Sequence, residues 1–241
     1  MARRAPPQVE STGECTILLR FGEHIERWCN DRVHAAVRAL QSPPIRGIVE
    51  LVPAYASLAV HYDPSEWIDA NIDQSPAEQI ASALLDRLAN SFDDDDGTTA
   101  RLVEIPVCYD PELGEDLVES SRMLGIGVDE LIARHVDGNY RVAMLGFAPG
   151  FPYLLGLDQG LHLPRRSQPR LRVPAGSVAI GGAQTGIYPT ALPGGWNLIG
   201  RSPLRLFDTT RKPPQLVSAG DRVRFVSITR EQFDALARDS D

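Results

Sequence analysis

Residues 146–154 read Gly-Phe-Ala-Pro-Gly-Phe-Pro-Tyr-Leu, and a second block over 173–201 has the same style. It runs Val-Pro-Ala-Gly-Ser-Val-Ala-Ile-Gly-Gly-Ala-Gln-Thr-Gly-Ile-Tyr-Pro and continues into Leu-Pro-Gly-Gly-Trp-Asn-Leu-Ile-Gly-Arg. Glycine lets backbone adopt positive φ and approach a neighbour closely. Proline fixes φ and removes a donor. Glycine and proline at this density leave no room for a long helix in the second half of the chain. They predict short strands joined by tight turns, a barrel or sandwich. The interleaved Phe147, Phe151, Tyr153, Tyr188 and Trp196 make the blocks a shaped aromatic surface, the best candidate site.

The first half has a different texture. Residues 15–21 form a short apolar strand, and 24–40 carry Ile25, Trp28, Val33, Val37 and Leu40 at helical spacing. Ser42-Pro43-Pro44 stops that helix. Strands follow at 47–53 and 57–62. Ser75-Pro76 with Glu78 is a capping box with proline at the first helical position, opening a helix over 77–89. A strand over 101–107 ends the region. The order β-α-β-β-α-β predicts a ferredoxin-like domain over 14–107, preceded by a disordered N-terminus at 1–13. The acidic run at 93–96 reads as a solvated loop.

A second domain is expected over 108–241, giving an α+β chain overall. Two short helices at 114–124 and 128–134 precede a strand at 140–145, which leads into the first block. Further strands are expected at 161–163, 177–180, 197–200, 204–207 and 222–228, and a last helix runs to about 238. The 241 residues suffice for these two cores.

Charge and cysteines narrow the function classes. With 24 basic and 32 acidic residues the net charge is -8, which disfavours nucleic acid. The four arginines Arg165, Arg166, Arg170 and Arg172 form a local cluster suited to a carboxylate or phosphate. Cys15, Cys29 and Cys108 lie far apart without metal-type pairing, as suits a reducing compartment. No segment has the length or apolarity of a signal peptide or membrane span, so the expectation is a cytoplasmic protein with no membrane partner.

Standard chemistries find little purchase. Ser177 lies in Ala-Gly-Ser-Val-Ala, which lacks the second glycine of a nucleophile elbow. Cys108 reads as a structural thiol. The five histidines have no zinc spacing, so no metal site is expected. There is no phosphate loop, although Gly181-Gly182 and Gly194-Gly195 offer possible anion nests. Glu112, Glu115 and Asp116 read as first-turn helix residues. His135, at a helix end just before the strand that feeds the first block, is the one histidine open to a pocket role.

The two blocks, with Pro106-Val107-Cys108-Tyr109, Pro164-Arg165 and Pro169-Arg170, resemble the family of the 5-oxoprolinase B subunits, allophanate hydrolase subunit 1 and KipI. The resemblance spans essentially the whole chain. It implies a cyclophilin-like β-barrel and one component of a heteromeric enzyme. With its C and A subunits, that enzyme opens 5-oxo-L-proline to L-glutamate using ATP, with magnesium, bound in the assembled complex. A histidine-kinase inhibitor of the KipI type, or a component of an allophanate or urea pathway, are the alternatives it carries. For the enzyme it implies that His135 polarises or orients substrate and that Arg165 and Arg170 hold carboxylate or phosphate. Gln184, Thr185 and Tyr188 orient the ligand. Phe147, Pro149, Gly150, Phe151, Gly194, Gly195 and Trp196 line the site. Family members often carry Ser or Thr after the histidine; here it is Val136.

Overall fold

The computed structural model describes residues 5–69, 73–89 and 100–239, and the chain forms two compact units, Met1–Thr99 and Ala100–Asp241. The acidic run at 93–96 lies outside the described residues.

In the first unit the elements are β1 (Gln8–Ser11), β2 (Thr16–Arg20), α1 (Arg27–Gln41), β3 (Ile48–Pro53), β4 (Ser57–Tyr62) and α2 (Pro76–Ala89). The sheet is antiparallel in the order β1-β2-β4-β3. Alternation along β2 and β4 turns Ile17, Leu19, Leu58, Val60 and Tyr62 inward, where Val33 and Leu40 of α1 and Ile80, Leu84 and Leu88 of α2 meet them. The capping box is present: Glu78 accepts the Ser75 N–H at 2.8 Å, and Ser75 Oγ accepts the Glu78 N–H at 3.3 Å.

Two expectations fail in this unit. The segment expected to be disordered holds β1, which pairs with β2 from Gln8 opposite Arg20 to Ser11 opposite Ile17 and is tied by the Glu10–Arg20 ion pair. The strand at 101–107 is not the fourth strand of this sheet, so the ferredoxin-like arrangement is not formed. As β5 (Leu102–Val107) it belongs to the second unit, parallel to β13 (Arg222–Ser227) over six register pairs. The reason is burial: Ile105 and Val107 feed the second core, beside Val223 and Phe225.

The rest of the second unit comprises α3 (Leu117–Leu124), α4 (Val128–Val136), β6 (Tyr140–Leu145), β7 (Pro152–Leu155), β8 (Arg170–Val173), β9 (Ser177–Gly181), β10 (Gln184–Ile187), β11 (Leu192–Gly194), β12 (Asn197–Arg201) and α5 (Arg230–Asp239). Seven strands form one sheet in the order β12-β9-β10-β7-β6-β13-β5. Its two edges meet at an antiparallel bridge, where Cys108 and Arg201 exchange both backbone hydrogen bonds at 2.9 Å. The sheet is thereby a nearly closed barrel, with Tyr140, Val142, Leu154, Val178, Ile180, Ile187, Ile199 and Phe225 filling the interior. β8 and β11 form a separate two-stranded ribbon. The expected strands at 161–163 and 204–207 are reduced to isolated bridges at Leu163 and Phe207.

Candidate functional site

The first block is the β6–β7 turn. Phe147 sits at φ 68, a left-handed conformation that costs a residue with a Cβ, and its side chain is 60% exposed. Gly150, at φ 79, takes the next positive-φ station, and the neighbouring Pro149 is exposed. The turn returns Phe151 inward, 2% exposed.

Phe151 is the hub of an aromatic cluster. Its ring centroid lies 5.5 Å from Phe147, 4.9 Å from Tyr153, 5.3 Å from Tyr188 and 5.8 Å from Trp196, mostly edge to face. The second block supplies room for these rings. A Cβ on Gly181 would strike the Trp196 indole, and one on Gly194 would strike the Tyr188 hydroxyl. Gly195 packs against Pro169. Tyr188 accepts the backbone N–H of Trp196, and burial raises its phenol pKa. The cluster lies on the outer face of the sheet: Val178 and Ile180 of β9 point into the barrel, while Ala179 between them joins Phe151, Val173, Tyr188, Trp196 and Leu198.

The arginine cluster divides. Arg165 is exposed, with its guanidinium 6.0 Å from the centre of the Trp196 ring. No ion pair or hydrogen bond engages it among the described residues. Arg166 and Arg170 turn instead to Asp116, which is 5% exposed. Arg166 Nη1 donates to Asp116 at 2.6 Å, both terminal nitrogens of Arg170 donate at 2.8 Å, and the Leu198 N–H donates at 2.8 Å. Glu115 adds a contact to Arg170 at 3.3 Å. The Asp116 carboxylate is the first cause holding the Arg170 pKa above its ordinary value. Arg170, expected to bind a ligand anion, therefore has its fork filled by the protein's own carboxylate. It fastens β8 to the start of α3 and to β12.

His135 and Thr185 lie in the barrel interior. His135 is 0% exposed and stacks on Phe225 at 4.6 Å. Its Nδ1 is 2.8 Å from Tyr109 Oη, and its Nε2 is 3.1 Å from Thr185 Oγ1. Thr185 donates its hydroxyl proton to the Ala179 carbonyl at 3.0 Å, so Oγ1 must accept from the imidazole. That fixes the proton on Nε2 and leaves Nδ1 to accept from Tyr109. Burial lowers the His135 pKa to about 3. Burial likewise raises Tyr109, with Tyr140 adding to it. The catalytic role expected of His135 meets a neutral, solvent-free ring with both nitrogens engaged. Gln184 is half-buried at the head of β10.

The structure thus brings Phe147, Phe151, Tyr188, Gly194, Gly195, Trp196 and Arg165 together, places Arg170 opposite Gly194 with its guanidinium taken by Asp116, and sets His135 and Thr185 on the other face of the sheet. Sequence reasoning missed the roles of Asp116, which reads there as a first-turn helix residue, and of Tyr109. A detectable signal for Asp116 was an acid pair, Glu115-Asp116, in a chain that also carries four arginines within eight residues. Phe151, Tyr188 and Trp196 are buried, at 2%, 2% and 5% exposure, and pack on one another, so the accessible part of the cluster is the Phe147 ring, 60% exposed, with Arg165 over the Trp196 ring. Among the described residues no cluster of three His, Cys, Asp or Glu could hold a metal ion, and no helix is long and apolar enough to cross a membrane.

Residues 7–217 match the family model described as carboxyltransferase domain, subdomain C and D. The chain is 43% identical to the B subunit of 5-oxoprolinase from Bacillus subtilis (strain 168), over 97% of this chain and 98% of the other. It is 38% identical to the protein of the same name from Escherichia coli O157:H7, over 89% and 93% of the two chains. The solved TTHA0988 superposes with a TM-score of 0.74 at 41% identity, covering 89% of this chain. This chain spans about two fifths of TTHA0988's length (40%). The urea carboxylase of Kluyveromyces lactis shares the fold, at a TM-score of 0.72 and 20% identity, over 100% of this chain and 23% of the other.

Proposed function

Because this chain belongs to the carboxyltransferase-domain family that includes the 5-oxoprolinase B subunits, we propose that it is the B subunit of a heteromeric 5-oxoprolinase. It acts with C and A subunits to convert 5-oxo-L-proline to L-glutamate at the expense of ATP. The observation that carries this reading is the end-to-end identity with the Bacillus subtilis protein. In this reading the barrel is cyclophilin-like, the protein is cytoplasmic and the isolated chain is inactive.

The site chemistry suits the substrate class. 5-Oxoproline is a small ring with one carboxylate, and the cluster presents the exposed Phe147 ring together with Arg165, a cation that no ion pair engages among the described residues. Arg165 holds the carboxylate, Phe147 covers the ring, and the buried Trp196, whose backbone N–H donates to Tyr188, backs the Arg165 guanidinium. ATP, with magnesium, supplies the phosphoryl group that activates the amide in the assembled complex. Charge stabilisation at such a group is the usual source of rate in phosphoryl transfer. The arrangement of His135 and Thr185 is that of positioning residues: they brace β10 from inside the barrel.

The test is reconstitution. The chain is co-expressed with its candidate C and A subunits, and ATP hydrolysis dependent on 5-oxoproline is measured alongside glutamate. Turnover that vanishes when this chain is omitted is the expected result. Full turnover by the other two components alone would refute the assignment.

A further inference from the structure

Arg201 closes the barrel seam through its backbone, but its side chain has no counterpart. Its Nε is buried and without a hydrogen-bond partner, and no carboxylate pairs with its guanidinium among the described residues. The arginines around it are all satisfied. Arg166 and Arg170 share Asp116, and Arg230 pairs with Glu112 at 3.0 Å and Asp234 at 3.3 Å. Glu115, the carboxylate whose field reaches Arg201, is in contact with Arg170 instead. Burial, and the positive charge of Arg230 after it, lower the Arg201 pKa against the opposing pull of Glu115. A half-buried guanidinium without an acceptor is costly and rare.

A second unpartnered donor stands beside it. Ser177 is 0% exposed, its Oγ has no partner, and it is the register partner of Arg201 across β9 and β12. The Arg201 backbone bonds go to Cys108, while the Ser177 N–H and C=O go to Pro174 and Tyr188. The two residues are therefore a non-hydrogen-bonded pair, the arrangement in which cross-strand side chains come closest. Gly176, at φ 78, lies against the Ser202 carbonyl, which a Cβ there would strike, and beside the arginine stem, 3.3 Å from that Cβ at Arg201 Cγ. We propose that Arg201, with Ser177 beside it, is a second oxyanion-binding point of the barrel unit, one that takes the carboxylate or phosphate group of a small ligand. It is separate from Arg165 and Trp196 and does not depend on the hydrolase reading. The buried Nε–H and the terminal N–H groups of Arg201 donate to the anion, and the Ser177 hydroxyl completes the donor set.

The experiment is a titration of the full-length chain with inorganic phosphate and, in parallel, acetate, followed by the arginine Nε–H resonances. The Arg201 signal is assigned by its disappearance in Arg201→Lys. A saturable shift of that signal is expected, with the stronger of the two anions telling phosphate from carboxylate chemistry. In calorimetric titrations with the same anions, Arg201→Met weakens binding by roughly tenfold or more, as for loss of a charge-assisted hydrogen bond, and Arg165→Met leaves the shift of the Arg201 signal unchanged. If the signal moves with neither anion, or if binding is lost in Arg165→Met and kept in Arg201→Met, the proposal is wrong. The wild-type titration decides the matter even where Arg201→Met fails to fold.

Discussion

Acidification isolates the buried histidine. In the folded barrel His135 has a pKa of about 3, whereas in the unfolded chain it returns to about 6.5. Between those values the unfolded chain binds a proton that the folded chain refuses, so stability falls as pH falls. The loss begins near pH 6.5, runs at up to about 1.4 kcal/mol per pH unit, and is complete below about pH 3. From pH 7 to pH 5 it amounts to about 2 kcal/mol. His135 is fully buried, so no solvent screening reduces the figure. The assay is native-state amide exchange of β6 and β13 in wild type and His135→Gln at the two pH values, since those amides report opening of the barrel. The variant is expected to lose about 2 kcal/mol less than wild type, the remaining groups cancelling in the comparison. Ring-nitrogen NMR of the wild type is expected to show one protonated nitrogen, Nε2, down to pH 5. Equal losses in the two proteins, or a His135 ring that titrates near pH 6.5, would refute the reasoning.

Three further outcomes follow from the site. Asp116→Asn weakens the charge-assisted bonds from Arg166 and Arg170, leaving Arg170 with Glu115 alone, and lowers stability by about 2 kcal/mol, read as a drop in the urea midpoint at pH 7. Phe147→Gly relieves the left-handed strain and raises stability by roughly 1 kcal/mol, while 5-oxoproline-dependent turnover falls; a lower melting temperature would show that the ring packs more than it strains. Arg165→Met leaves the melting temperature nearly unchanged, because the residue is exposed and forms no ion pair, and reduces turnover of the assembled enzyme roughly tenfold; unchanged turnover would remove Arg165 from the site.

Local signals carried the first unit well. The Ser75–Glu78 box, the helical spacing of Val33 and Leu40 and the alternation of β2 and β4 are all written within a few residues of chain, and each is realised. What local signals do not contain is partner choice. β5 reads equally well as the edge of either sheet, and only the six register pairs with β13, more than 110 residues later, decide it. β1 was passed over because four mostly polar residues have too little apolar content to mark a strand; pairing with β2 makes it one. β7, β10 and β11 are three or four residues long and sit in the glycine and proline blocks, and the four-residue β8 leads into the second, where turn chemistry hides them.

The candidate site was legible as a region and less so as a set of roles. Glycine density announces that something is packed closely against backbone, and at Gly181 and Gly194 that something is an aromatic ring of the same chain. Arginine density announces an anion, and for Arg166 and Arg170 the anion is Asp116. Subtracting these internal partners is what gives the remaining cations their meaning. In a chain with eight more acidic than basic residues, 32 against 24, an arginine is not left unpaired for want of carboxylates. Arg165 is solvated and costs little in that state. Arg201, with its Nε shut away from water, does not have that escape. Of the two, it is the stronger indication that an anion from outside the chain belongs on the barrel.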